Sequence, residues 1–358
     1  MSRILVAMSG GVDSSVVAYL LKEAGHEVVG VTMKLFASED LNLGEHSCCS
    51  LDDISDARMV AQRLGMDYHV YDFSDRFQEE VMDPFVAAYE AGYTPNPCIA
   101  CNRHLKFDQL YQQAQELNCE FIATGHYAQV EEVEGRYRLK KGLDSKKDQS
   151  YVLYSLTQEQ LAHTLFPLGG MEKEEVREIA AAAGLINAKK QDSQDICFVP
   201  DGDYKGFLER YTGKEYSPGK VLDTEGNVLG SHGGAVGYTI GQRKGLGIAT
   251  GYPAYVVAKD MEKNTVTLGT KRELENTGLW ARDVRWLSIG KPQEPIEVLA
   301  KTRYHGPETP ATLTVHGDQV HLHFHDIHSA VTPGQAVVFY GGAEGREVLG
   351  GGTITKGE

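Results

Sequence analysis

The sequence predicts an α/β protein of several domains: an N-terminal domain on a parallel sheet, followed by small β-rich domains. Three observations carry this. Residues 3–33 run strand, glycine loop, helix, strand, which is how a parallel α/β sheet opens. The same alternation continues to about residue 205, after which the chain becomes glycine-rich with short β-prone runs between turn signals. The length of 358 residues also exceeds the usual size of one compact domain. The expected segments are 1–205, 206–277 and 278–358.

The elements follow in order. Residues 3–8 are a short apolar strand. Residues 14–24 place Val16, Val17, Leu20, Leu21 and Ala24 at helical spacing, and Gly25 ends that helix. Residues 27–33 are β-rich. Residues 52–65 read as a helix with Ile54, Ala57, Val60, Ala61 and Leu64 on one side. A strand at 67–72, helices at 75–91 and 104–117, a strand at 120–124 and helices at 156–165 and 172–183 complete the first part. The later β-prone runs are 236–240, 254–259, 264–268, 295–302, 311–316, 320–325 and 335–340.

Composition excludes several classes. With 41% hydrophobic and 24% charged residues, disorder, collagen and a membrane bundle are poor readings. No apolar run is long enough for a transmembrane helix, and the N-terminal run does not read as a signal peptide, so a cytoplasmic location is expected. The net charge of −15 argues against a simple basic nucleic-acid binder. Its distribution softens that. Residues 1–100 hold 6 basic and 16 acidic residues, whereas residues 136–147 carry Arg136, Arg138, Lys140, Lys141, Lys146 and Lys147 against Asp144 alone. A local basic surface of this kind can bind RNA on an acidic protein.

The segment Met8-Ser9-Gly10-Gly11-Val12-Asp13-Ser14-Ser15 follows the first strand and opens a helix. Its glycines permit a tight turn, and the helix N-terminus offers unpaired N–H groups and a positive dipole end. This is an anion site, most naturally for phosphate, with Ser9, Ser14 and Ser15 as added donors and Asp13 suited to holding Mg²⁺ against the ligand. It lacks the Lys of a Walker A loop and the third glycine of a dinucleotide fingerprint.

Six cysteines occur: Cys48, Cys49, Cys98, Cys101, Cys119 and Cys197. In a large chain so sparse a set points to catalysis, metal binding or buried thiols. Cys98-Ile-Ala-Cys101 opens a predicted helix beside Arg103, His104 and Lys106, a setting expected to favour thiolates. Cys197 lies on a short Ile-Cys-Phe-Val run that would ordinarily be a buried strand.

The Ser-Gly-Gly-Val-Asp-Ser-Ser loop resembles that of the N-type ATP pyrophosphatases. Joined to Pro-Cys98-Ile-Ala-Cys101-Asn, Ala123-Thr-Gly125-His126-Tyr, Lys147-Asp148-Gln149-Ser-Tyr, Asp-Ile-Cys197-Phe-Val-Pro, His232-x-Gly234 through Arg243, and Lys301-x-Arg303-Tyr304, it resembles the tRNA-specific 2-thiouridylases along nearly the whole chain. The resemblance implies an α/β fold with an adenine nucleotide α-hydrolase-like (Rossmann-like) N-terminal domain, a small central β-rich domain and a C-terminal β-barrel domain, and ATP-dependent 2-thiolation of the wobble uridine in tRNAs for Lys, Glu and Gln. Cys197 would carry a persulfide, Cys101 would act as nucleophile, a Cys101–Cys197 disulfide would close one route, and Asp13 would join the catalytic set. ATP would meet Ala7, Met8, Ser9, Gly10, Gly11, Val12, Asp13, Ser14, Ser15, Met33 and Gly125, with Mg²⁺. The tRNA would meet Asn96, Pro97, Cys98, His126, Lys147, Asp148, Gln149, Arg303, Tyr304 and Gln335. Sulfur would come from a partner protein, a persulfide relay or a cysteine desulfurase; neither membrane nor DNA is expected.

Many family members carry Asp where this chain has Cys98. Three thiolates from Cys98, Cys101 and Cys197 suit a 4Fe–4S cluster with one open iron that takes a hydrosulfide, so that route stands beside the persulfide route. Cys98 as a bystander or a resolving thiol is the other reading. Two further functions stay open on the sequence: another pyrophosphatase that adenylates a small molecule, and a non-catalytic nucleotide- or RNA-binding protein.

Overall fold

The computed structural model describes residues 1–36, 51–192 and 196–358. In chain order its helices are α1 (Val12–Glu23), α2 (Leu51–Arg63), α3 (Ser74–Phe77), α4 (Asp83–Glu90), α5 (Pro97–Cys101), α6 (Leu110–Glu116), α7 (Gln158–Ala162), α8 (Lys173–Ala182) and α9 (Tyr204–Thr212). The chain divides into two compact units.

The first unit comprises Met1–Met82, Pro97–Gly202 and Arg346–Val348. Its strands are β1 (Arg3–Ala7), β2 (Glu27–Lys34), β3 (Asp67–Asp72), β4 (Phe121–Ala123), the hairpin β5 (Ala128–Val133) and β6 (Arg136–Lys141), and β7 (Thr164–Leu165). Five of them form a parallel sheet in the order β3-β2-β1-β4-β7. Strands buried on both faces need continuous apolar runs, and Ile4, Leu5, Val6, Val28, Val29 and Val31 supply them. Val16 and Val17 of α1, Ala57 and Val60 of α2, and Val176 and Ala180 of α8 belong to the core on this sheet. The strand order reverses between β1 and β4, and ligands of open α/β sheets sit at the carboxyl ends of strands at such a switch point. The glycine loop leaves β1 there, and Thr124-Gly125-His126 leaves β4 there.

The second unit comprises Asp83–Asn96, Asp203–Gly345 and Leu349–Glu358. Strands β8 (Gly219–Leu222), β9 (Val228–His232), β10 (Tyr255–Asp260) and β11 (Thr265–Gly269) form a sheet in the order β10-β11-β8-β9. The remaining strands are β12 (Glu275–Trp286), β13 (Ile296–Lys301), β14 (Glu308–His316), β15 (Gln319–Ser329), β16 (Ala336–Gly341) and β17 (Glu347–Gly357). They run β12-β15-β14-β13-β16-β17, and antiparallel pairing of β12 with β17 closes them into a barrel. Alternation puts Leu279, Ala281, Val298, Ala300, Ala311, Leu313, Val320 and Leu322 in its core.

Four expected elements differ. Residues 156–165 are not one helix: Thr157 and Gln160 form a capping box for the short α7, and Thr164–Leu165 pairs in parallel with Ile122–Ala123. Pairing with β4 at the sheet's edge outweighs helix continuation for Thr164–Leu165, the first of which is β-branched. Residues 236–240 are not a strand, because Gly234 at φ +136° leads into a 3₁₀ turn over Ala235–Gly237. The single helices expected at 75–91 and 104–117 are interrupted by π-helical stretches at Gln78–Met82 and Asn102–Gln109. Such wide turns shift the apolar period, which simple 3.6-residue counting does not register.

Candidate active site

Ser9-Gly10-Gly11 turns from β1 into α1. Gly10 has φ +74°, and a Cβ there would fall 2.4 Å from the Asp53 carbonyl oxygen, so glycine is required both by conformation and by space. Gly10→Ala is expected to weaken ATP binding by about tenfold or more and to cost about 1–3 kcal/mol of stability. Nucleotide titration and urea unfolding would check this. Gly11 caps α1 in an extended conformation without a side-chain cap, which leaves the first helical N–H groups to an anion. Buried Asn187 donates its amide to the Gly10 and Gly11 carbonyls at 3.0 and 3.1 Å and lies 2.8 Å from Ser15 Oγ. The Ser14 and Ser15 hydroxyls donate to Gly11 O at 3.2 and 3.0 Å, so both brace the loop. Thr32 Oγ1 donates to Met8 O at 2.7 Å and accepts from Tyr68 OH at 2.7 Å, fixing the end of β1 beside Met33. A side chain at Gly125 would come 3.0 Å from Asp13 Cβ and 3.1 Å from Ser14 N, so that glycine lets β4 approach the loop.

Asp13 points into a charged cluster that sequence reasoning missed. Lys173 opens α8, is 5% exposed, and donates to Asp13 Oδ1 at 2.6 Å. It also lies 2.8 Å from Asp192 Oδ1, which Arg177 approaches at 3.1 Å. Lys147 donates to the other Asp192 oxygen at 2.5 Å. Burial raises the Asp192 carboxyl, but the Lys147 and Lys173 hydrogen bonds outweigh it and hold the group below its ordinary value. Tyr127 OH donates to Asp13 at 2.9 Å, and burial with the Asp13 charge pushes that phenol far up, so it stays a donor. The buried Asp144 carboxylate accepts from the Lys146, Lys147 and Lys173 backbone N–H groups and so seats both lysines. On another side, Lys190 donates to Asp53 at 2.7 Å and Asp56 at 2.6 Å. The loop that lacks a Walker lysine therefore has lysines delivered to its surroundings from later in the chain.

Both cysteine segments rest on the Phe77–Met82 stretch. The π-helical turn at Gln78–Met82 contacts α5, and Phe198 meets Phe77 edge-on at 5.7 Å. Cys98 is exposed in the first turn of α5, while Cys101 at its far end is 8% exposed. Burial pushes the Cys101 thiol up to about 11, with Lys106 pulling down and Cys98 pushing up. The expected easy thiolate is corrected here: desolvation outweighs the neighbouring cations. Cys197 is half-buried on a turn closed by Val199 N–H to Ile196 O at 2.8 Å, not on a strand. Phe198 and Val199 are buried and anchor that turn. Cys48 and Cys49 lie outside the described residues, as do positions 193–195.

These features carry names in known proteins. Residues 2–201 match the family described as tRNA methyl transferase HUP domain. Residues 205–270 match the tRNA methyl transferase PRC-barrel domain, and residues 276–354 the aminomethyltransferase beta-barrel domain. The chain is 48% identical to the tRNA-specific 2-thiouridylase MnmA of Clostridioides difficile, over 99% of this chain and 98% of that one. It is 51% identical to the tRNA-specific 2-thiouridylase MnmA of Moorella thermoacetica, over 98% of each. The chain belongs to the tRNA-specific 2-thiouridylase family. A solved 4-thiouridine synthetase–RNA complex with bound ATP aligns over 56% of this chain and 45% of that one, at 18% identity and a TM-score of 0.34.

Among the described residues, no three Cys, His, Asp or Glu side chains are arranged to hold a metal ion. Mg²⁺ is a different case, since it usually takes one or two carboxylates and completes its shell with substrate phosphates and water. Asp13 beside the loop fits that demand.

The positions expected to meet tRNA fall in both units. His126 is buried, paired with Thr124 Oγ1 at 2.8 Å and packed on Phe107 and Phe166; burial first, then Lys106, keeps it well below its usual range and neutral. Asp148 accepts from the Gly142 and Ser150 backbones and the Ser150 hydroxyl, so it shapes the turn that presents Lys147. Gln149 accepts from Tyr127 N at 3.0 Å. Pro97 is buried at the start of α5. In the second unit, Gln335 donates to Thr94 O at 2.9 Å, two residues before Asn96. Arg303 is exposed there and lines a pocket with Lys271 and Tyr255, and Tyr304 meets His305 edge-on at 4.6 Å. Within the basic run, Arg138 pairs with Glu347 at 3.3 Å, Lys140 with Glu131 and Lys147 with Asp192, so the hairpin is less positive than its sequence. Among the described residues, no helix is long and apolar enough to cross a membrane.

Proposed function

We propose that this enzyme replaces the C2 oxygen of the tRNA wobble uridine by sulfur, at the expense of ATP cleaved to AMP and pyrophosphate, in the tRNAs for Lys, Glu and Gln. One observation carries the reading: a single compact unit holds a bare phosphate-binding helix end ringed by lysines and two cysteine segments on one shared support. The first half can bind and activate ATP, and the second can hand over sulfur.

The chemistry follows from the groups. An amide-like oxygen leaves poorly, so the uridine C2 oxygen is first adenylated by attack on the α-phosphate. The α1 N–H groups and Lys173 bind phosphate oxygens and stabilise the charge that builds there. Mg²⁺ held by Asp13 would neutralise charge on the leaving pyrophosphate. A persulfide on Cys197, supplied by a partner protein, then attacks C2 and AMP leaves. Cys101 attacks Cys197 Sγ, the bond from Cys197 to the transferred sulfur breaks, and 2-thiouridine departs, leaving a Cys101–Cys197 disulfide. Burial of Cys101 withholds its thiolate until substrate is engaged.

Pyrophosphate release with and without tRNA tests the reading. Strong dependence on tRNA is the expected result. Release that ignores tRNA and responds to a small molecule would contradict it.

A further inference from the structure

The mechanism above ends with an oxidised pair in which one sulfur belongs to a buried residue. Cys101 is 8% exposed, so a reductant in solution reaches its sulfur poorly. Cys98, one helical turn away in α5, is exposed. Residues i and i+3 of a helix have Cβ atoms about 5–6 Å apart, close to what a disulfide requires after a small adjustment.

We propose that Cys98 is the resolving thiol of this enzyme, carrying the oxidising equivalent from the buried Cys101 to solvent. The inference rests on the persulfide reading of Proposed function and adds a residue to it. After sulfur transfer, the Cys98 thiolate attacks Cys101 Sγ of the Cys101–Cys197 disulfide. A Cys98–Cys101 bond forms, and Cys197 leaves as a thiolate ready for the next persulfide. A dithiol reductant then attacks the exposed Cys98 sulfur, Cys101 leaves and takes a proton, and the reductant closes its own disulfide. The two electrons that reduce the sulfane sulfur to the thiocarbonyl level therefore come from that dithiol.

The test uses full-length enzyme loaded with persulfide under argon, with tRNA and ATP, in one turnover without reductant. Thiols are then alkylated and the disulfides mapped by peptide mass spectrometry. Wild type is expected to hold Cys98–Cys101. In the Cys98→Ser and Cys98→Ala enzyme that has turned over once, the disulfide is expected to be Cys101–Cys197, and multiple turnover with a dithiol is expected to fall about tenfold or more relative to each variant's own single-turnover rate. Three results would overturn the inference: Cys101–Cys197 as the end state in wild type, unchanged multiple turnover in both variants, or loss of bound iron together with single-turnover activity in both. Thiolated tRNA with no cysteine disulfide in any protein would instead sink the persulfide reading beneath it.

Discussion

Replacing Lys173 with Met is expected to cut tRNA-dependent pyrophosphate release by roughly 10²–10³-fold, the usual loss for one preorganised electrostatic donor. Lys173 is almost fully buried and bridges Asp13 of the phosphate loop to Asp192. Its removal takes a cation from the position nearest the loop and leaves two carboxylates facing each other. Stability is expected to fall as well, by about 1–3 kcal/mol, less than for a fully buried pair because both carboxylates are partly exposed. Activity and stability can be separated with Lys173→Arg. That variant keeps the charge and should recover most of the stability, while its planar fork misplaces the donor and leaves turnover low. Equal loss of both properties in both variants would assign Lys173 to folding alone.

The second large effect concerns the cysteines. Cys101→Ser and Cys197→Ser are each expected to reduce thiolated product by roughly 10³-fold or more, as for a lost nucleophile, while tRNA-dependent pyrophosphate release persists. Adenylation and sulfur transfer use different groups, so the first survives loss of the second. A pH dependence accompanies this. Below its pKa of about 11, the Cys101 thiol is protonated, and its thiolate fraction grows with rising pH. The single-turnover sulfur-transfer rate is therefore expected to climb about tenfold per unit from about pH 7 to about pH 10, since only the thiolate attacks. A plateau reached near neutrality would show that Cys101 does not ionise from its buried state in the rate-limiting step.

Parts of this site are legible in the sequence and parts are not, for definable reasons. The phosphate loop is legible because everything it needs is local: an apolar strand, two glycines and a helix start within residues 3–23. The β-barrel strands are legible because period-2 alternation is also local. Lys173 is not. It opens Lys-Glu-Glu-Val-Arg, which reads as an ordinary solvated helix start, and only the α8 packing of Val176 and Ala180 turns its first residue towards Asp13. Asn187 offers still less signal, since it lies on no regular element and acts 177 residues away from Gly10. A capping aspartate ahead of a helix is a readable feature, but Asp144 seats Lys173 from 29 residues upstream. Cys101 shows the opposite error. Nearby Arg103, His104 and Lys106 point to a thiolate, and burial decides against it. Sequence neighbours report charge; they do not report desolvation.

The central claim is sulfur placed on a tRNA uridine at the cost of ATP. The most direct measurement digests tRNA for Lys, Glu or Gln to nucleosides after incubation with the enzyme, ATP, Mg²⁺ and a persulfide donor, and weighs them by mass spectrometry. The predicted result is one uridine converted to 2-thiouridine at the wobble position, only when ATP is present and only with both Cys101 and Cys197 intact. Unmodified tRNA in the presence of ATP consumption would contradict the account, as would sulfur incorporated equally well by the Cys197→Ser enzyme.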